Sequence, residues 1–450
     1  MPDVRYARSG DVSIAYQVVG EGPVDLIFVR GIAGDLLSTW DQPLLVRHVM
    51  GLAECGRVLM VDRRGSGLSD RTREVQSLET AMDDFRAVMD DAGSDSAVLW
   101  TGQTATGIAV LFAATFPERC TGLILVDPRV KGTRSPDYPW APSAEDWRKQ
   151  LTDIRREWGK REYFDKLVSD WAPNRAGDEQ FREWFTWHMR RSLSPGAALT
   201  AFRAAMDLDV GDVLPAVRVP TLLLSGVQPA AARYVAQRIR GAEVVDLPDF
   251  LGVYTWADDE THEATMSATR EFVKRHADPR AREQVLVTLL FTDIVGSTEL
   301  VARLGDAAWR DLLAQHHAAV RRVLGNHQGK ELDTAGDGFF ASFDGPARAV
   351  RAAAEIERTV APLGLSVRAG LHTGECEVSD GKVAGIAVAT AARICGLAGP
   401  QQVLVSGTVK DLVTGSELRF TDHGEHVLKG IPGPRRIYEL QQKPPGQTWT

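Results

Sequence analysis

Cysteine is scarce in this chain: Cys55, Cys120, Cys376 and Cys395 are the only four in 450 residues. They lie far apart and show neither a disulfide framework nor a metal-ligand spacing, which reads as reduced thiols in a cytosolic (cytoplasmic) protein. No run of about 18 apolar residues occurs, so no membrane span is expected. The first residues, "MPDVRYARSGDVSIAY", lack the apolar centre of a signal peptide. An excess of basic residues is missing too. Lys and Arg number 52 against 60 Asp and Glu, and the net charge of −8 argues against nucleic acid as a partner. Short-period repeats and low-complexity tracts are absent. What remains has the composition of a soluble globular protein, 44% hydrophobic and 25% charged. The length exceeds one ordinary core, so two domains are expected.

Residues 1 to about 277 alternate short apolar runs with helical stretches. "VDLIFVRG" (24–31), "RVLMVDRRG" (57–65), "AVLWTG" (97–102), "GLILVD" (122–127) and "PTLLLSG" (220–226) have the character of buried parallel strands. "SLETAMDDFRAVMDDAG" (77–93) reads as a helix between two of them. The pattern predicts a doubly wound α/β sheet. Residues from about 134 to 213 interrupt it with polar, Trp-rich helical periodicity, which predicts a helical cap over one end of the sheet. "DPRAREQ" (278–284) reads as a linker. A second pattern of strands, long helices and a hairpin follows over 285–442, leaving a tail at 443–450.

"VDRRGSGLSD" (61–70) and "GQTATG" (102–107) give the first domain its resemblance to the α/β-hydrolase family. That family places a nucleophile on a sharp strand-to-helix turn, G-x-S-x-G. Thr104 stands where Ser belongs and Thr106 where a small Gly belongs. "VQPAAARY" (227–234) after "PTLLLSG" has no acid and "DFLGVYTW" (249–256) after "VVDLP" has no His, so a hydroxyl here would lack the base that activates it. The resemblance implies the hydrolase shape without its chemistry. The domain is then either a scaffold or a retained pocket under the cap for a small apolar molecule.

In the second domain, "LLFTDIVGST" (289–298) ends an apolar strand on Asp293 and continues through Gly296, Ser297 and Thr298 into a helix. Backbone N–H groups at such a helix start suit phosphate oxygens. "ELDTAGDGFF" (331–340) puts Asp333 and Asp337 around a tight turn. If the two strands are adjacent, Asp293 and Asp337 converge and would suit a hard divalent ion beside a polyphosphate. Together with "VRAGLHTGE", "GIAVATAARI", "VLVSGTV" and "HVLKGIPG", these stretches resemble the class III nucleotidyl cyclase catalytic domain. The joint arrangement resembles mycobacterial hydrolase–cyclase fusions.

The resemblance implies an α+β domain with a ferredoxin-like core, a nucleoside triphosphate substrate and two Mg2+ or Mn2+ ions held by Asp293, Asp337 and the Ile294 carbonyl. It implies that Arg393 stabilises charge on the reacting phosphate, that Lys429 holds the distal phosphates, and that a homodimer completes the site. Adenine-reading relatives carry Lys and Asp where this chain has Asp333 and Lys382, so the two charges are exchanged. Adenine read in swapped positions, guanine, and a decayed pocket all stay open. Ala389 replaces a family Asn four residues before Arg393, which implies a slower enzyme.

Overall fold

The computed structural model describes residues 1–72, 77–248, 254–276, 284–379 and 382–441. The linker expected at 278–284 and the tail at 443–450 fall almost wholly outside the described residues. The chain divides into two compact units, Met1–Arg282 and Glu283–Thr450.

The first unit is built on an eight-stranded sheet: β1 (Arg5–Ser9), β2 (Val12–Val19), β3 (Asp25–Val29), β4 (Arg57–Val61), β5 (Ala97–Gln103), β6 (Cys120–Pro128), β7 (Thr221–Ser225) and β8 (Glu243–Asp246). The spatial order is β1-β2-β4-β3-β5-β6-β7-β8. β1, β2 and β4 pair antiparallel, and every pairing from β4 onward is parallel. β6 and β7 are buried along their whole length, which is why they read as unbroken apolar runs. The helix after β5, Thr106–Thr115, is also buried at every position. Between β6 and β7 the chain forms helices Ala144–Glu157, Arg161–Trp171, Glu179–Ser192 and Pro195–Met206. Ser143 starts the first of them with a reciprocal capping box to Asp146. Trp147, Phe164, Phe181, Phe185 and Phe202 give these helices a core of their own.

The second unit has a mixed sheet ordered β10-β11-β9-β12-β14-β16-β15, with β13 paired to β12. The strands are β9 (Gln284–Ile294), β10 (Lys330–Ala335), β11 (Gly338–Phe343), β12 (Val367–Ser379), β13 (Lys382–Ala384), β14 (Val403–Ser406), β15 (Phe420–Val427) and β16 (Pro434–Leu440). Helices Ser297–Leu304 and Asp306–Asn326 link β9 to β10, and Pro346–Val360 links β11 to β12. That succession is the βαββαβ pattern of a ferredoxin-like core. Alternation along β9 sorts its residues. Leu290 and Ile294 join the large core with Val320, Phe343 and Val350, whereas Leu289 joins a smaller cluster with Cys376, Ala387 and Ala391 from the opposite side. Asp293 shares the face of Leu289.

Candidate functional site

In the second unit β9 runs between β11 and β12. Phe339 of β11 is level with Thr292, so the turn at Gly336–Asp337 falls beside Asp293. Arg368 of β12 is level with Asp293 from the other side. Its Nε donates to Asp293 Oδ2 at 2.9 Å, and the second guanidinium nitrogen reaches the same oxygen. One oxygen of Asp337, Oδ2, is buried without a partner among the described residues. A buried, unpaired carboxylate oxygen in the turn beside the strand that carries a second carboxylate is a costly arrangement that a divalent cation would relieve. The donor set therefore fits Mg2+ or Mn2+, although among the described residues no three acidic, His or Cys groups cluster tightly enough to make a metal site by themselves.

The hairpin that carries Asp337 is held by the helix behind it. His317 lies 3.1 Å from the Gly336 carbonyl through Nε2, and its ring meets Phe339 edge-on at 5.1 Å. Arg321 grips Glu331 through two hydrogen bonds of 2.8 Å, and the Glu331 carboxyl is held down at about 2 by that pairing. Gly336 takes φ of 64°, a conformation that only glycine adopts freely. Gly296 does the same at 70° where β9 turns into the helix Ser297–Leu304. No side chain caps that helix, so the N–H groups of Ser297 and Thr298 are left for another acceptor.

Arg393 and Ala389 lie one turn apart on the exposed side of the helix Ile386–Leu397. Gly370 lets that helix press on β12: a Cβ there would come 2.0 Å from the Cys395 nitrogen. Lys429 is exposed after β15. Asp333 is exposed on β10, its Oδ1 accepting from the Thr334 N–H at 2.8 Å. Lys382 opens β13 opposite Ser379, and its side chain lies outside the described residues. His372 bonds Ser406 Oγ at 2.9 Å through Nδ1, and burial lowers its pKa to about 4, which suits packing and not proton transfer. Arg368 and His317 escaped the sequence reading. The alternation of "VRAGLHTGE" puts Arg368 on the Asp293 face once β9 is known to be the neighbour, but nothing in the sequence names that neighbour.

The first unit corrects one assignment. The strained residue of the strand-to-helix turn is Gln103, with φ of 52°, not Thr104. β5 runs through Gln103 before the chain turns, so the apex falls one residue earlier than a G-x-S-x-G register predicts. An amide now occupies the nucleophile's place, while Thr104 Oγ1 is buried beside it without a partner among the described residues. An acid missed by the sequence reading is also present. Asp127, at the end of β6 with φ of 41°, accepts from the N–H groups of Gly226 and Val227 at 2.9 and 3.0 Å. Burial raises its pKa, and no described histidine bonds to it.

Residues 280–442 match the family model for the adenylate and guanylate cyclase catalytic domain, and residues 26–200 match that for the alpha/beta hydrolase fold. A putative adenylate cyclase 3 of Rhizobium meliloti is 29% identical over 167 residues, covering 35% of this chain and 28% of the relative. An uncharacterized protein of Mycobacterium tuberculosis is 34% identical over 160 residues, covering 34% of this chain and 55% of the relative. The chain thus spans about half the length, or less, of these curated relatives. The crystal structure of a bromoperoxidase from Bacillus anthracis overlays the first part with a TM-score of 0.52 at 19% identity, covering 60% of this chain and all of that one, which shows the fold alone. The second unit is therefore a catalytic domain of the adenylate and guanylate cyclase family, joined in one chain to an α/β-hydrolase fold.

Proposed function

We propose that the chain converts ATP to 3′,5′-cyclic AMP and pyrophosphate, slowly, at a site completed by a second copy of itself. The register that sets Asp293 between the Asp337 turn and Arg368 carries this reading. Two divalent ions, Mg2+ or Mn2+, held by Asp293, Asp337 and the Ile294 carbonyl, would supply the charge that eases ionisation of the ribose 3′-hydroxyl and steadies the phosphates. The uncapped N–H groups at Gly296, Ser297 and Thr298 favour polyphosphate oxygens. Arg368 adds a guanidinium at the same edge, free to exchange Asp293 for phosphate. Lys429 takes the distal phosphates, and Arg393 of the second copy steadies the charge that builds on the α-phosphate. The 3′-oxygen bonds to the α-phosphorus as its proton leaves to solvent. The bond from that phosphorus to the bridging oxygen breaks, and pyrophosphate departs.

An incompletely covered apolar face supports the homodimer. Ile386 is 57% exposed, and the stacked rings of Phe291 and Phe340 are only half-buried on the side of Asp293. GTP is the second reading, because an acid at Asp333 suits the N1 and 2-amino donors of guanine and Lys382 suits its O6. Incubating the purified chain with manganese and ATP or GTP in parallel separates the two. Cyclic AMP in excess is expected; cyclic GMP in excess would transfer the assignment to guanine. The pair Asp333→Lys with Lys382→Asp should raise turnover of ATP over GTP. We also infer that the first unit modulates this rate through the short joint at 278–284. A segment starting at residue 280 that matched the full chain in rate and dimerisation would end that idea.

A further inference from the structure

The first unit holds a partly open cavity of about 320 Å3 between the carboxyl ends of its parallel strands and the helices inserted after β6. Trp100, Trp147, Trp171, Trp184 and Trp256 line it, so its body suits a flat apolar group. Four ionisable side chains also reach the wall: Arg30, Arg129, His188 and Tyr254. Three of them carry no uncompensated charge. Arg30 is paired with Asp62 at 3.3 Å and bonds Thr39 Oγ1 at 2.7 Å. His188 is bonded to Ser38 Oγ at 2.7 Å, and burial lowers its pKa to about 3, so the ring is neutral. Burial pushes the Tyr254 phenol up, so it too is neutral.

Arg129 differs. Its backbone N–H is bonded to Thr106 Oγ1 at 3.4 Å, but among the described residues no ion pair or hydrogen bond holds its guanidinium. Burial lowers its pKa, yet an arginine stays charged inside a protein. A cation taken out of water without a partner is unfavourable until an anion meets it. The surroundings are those of a ligand head group. Gln103 is level with Pro128, the residue before Arg129, and the buried Thr104 Oγ1 next in sequence has no partner among the described residues.

We propose that this cavity binds an aryl carboxylic acid, with its carboxylate on the Arg129 guanidinium and its ring among the tryptophans. One uncompensated positive charge calls for a monoanion and not a phosphate dianion, and the planar guanidinium fork matches a carboxylate. At roughly 30 Å3 per water the space equals about ten waters, enough for an acid of about a dozen non-hydrogen atoms. The ligand is bound and not turned over, because the apex of the elbow is an amide. This site is independent of the chemistry assigned to the second unit.

The test is calorimetric titration of the full chain near neutral pH with three matched probes: phenylbutyrate, phenylbutanol and phenylbutylamine. The acid should bind about 10- to 100-fold tighter than the alcohol, the range expected for a charge-assisted hydrogen bond, and the amine should bind weakest. Arg129→Gln should bring the acid down to the alcohol's affinity and leave the alcohol unchanged, which also shows that the variant is folded. Arg129→Lys should keep part of the preference. Equal affinities for acid and alcohol in the unaltered chain would overturn the proposal. So would undiminished acid binding by Arg129→Gln, or no heat from any probe.

Discussion

Two strand ends, one in each unit, make the useful comparison. The elbow after β5 keeps its strained backbone, with Gln103 at φ of 52°, but presents an amide where a nucleophile would stand. The edge made by β11, β9 and β12 keeps its charged groups: Arg368 is level with Asp293, and Asp337 sits in the turn that leads into β11. A shape outlasts its chemistry when buried strands and a packed helix hold it, as β6 and the helix Thr106–Thr115 do. A charge cluster has no such support. The buried Oδ2 of Asp337, without a partner among the described residues, costs folding energy, so its presence points to use and not to packing.

Arg368→Ala should lower kcat/KM for the nucleotide by about 10- to 100-fold, the loss expected for charge-assisted contacts to phosphate. A merely structural Arg368 would instead lower the melting temperature and leave kcat/KM unchanged per folded molecule. Ala389→Asn should restore a missing hydrogen bond and raise kcat by about tenfold in the same cyclase assay. Gly370→Ala pushes the helix of Arg393 off β12, and should cost about 1–3 kcal/mol in chemical denaturation as well as activity.

Acid should strike the first unit through its histidines. Burial lowers the pKa of both His48 and His188 to about 3, and among the described residues both ring nitrogens of His48 lack partners. The unfolded chain takes up protons below about 6.5 that the folded chain refuses. Their stabilising contribution is thus full above about pH 6.5 and is lost as the pH falls toward 3. Urea midpoints followed by tryptophan fluorescence should drop between about pH 7 and pH 5. That drop should shrink in His48→Phe; an unchanged drop would place the sensitivity elsewhere. The smallest effect is expected at the elbow itself. Gln103→Ser should yield no ester hydrolysis, because no described histidine stands by Asp127 to serve as base.

Much of this was legible in the sequence, for reasons that differ by region. Buried parallel strands such as "GLILVD" announce themselves because both faces are apolar. The hairpin of Asp333 and Asp337 is a local feature fixed by Gly336, so its residues could be named from the chain alone. Arg368 could not, because its meaning depends on a pairing with β9 between residues 75 apart in sequence. The elbow was misplaced by one residue because a motif counts letters, whereas the apex is set by where β5 stops pairing with β6. Asp127 was missed for the same reason: it serves the loop after β7 from the end of β6.

Turnover in the second unit should depend most on its two carboxylates, Asp293 and Asp337. The direct test is cyclic nucleotide formation by the purified full chain with manganese and ATP, alongside Asp337→Ala. A metal-dependent product that falls at least about 100-fold in the variant, with the fold intact, is the predicted result. Equal product from both proteins, or none from the unaltered chain as a dimer, would contradict it.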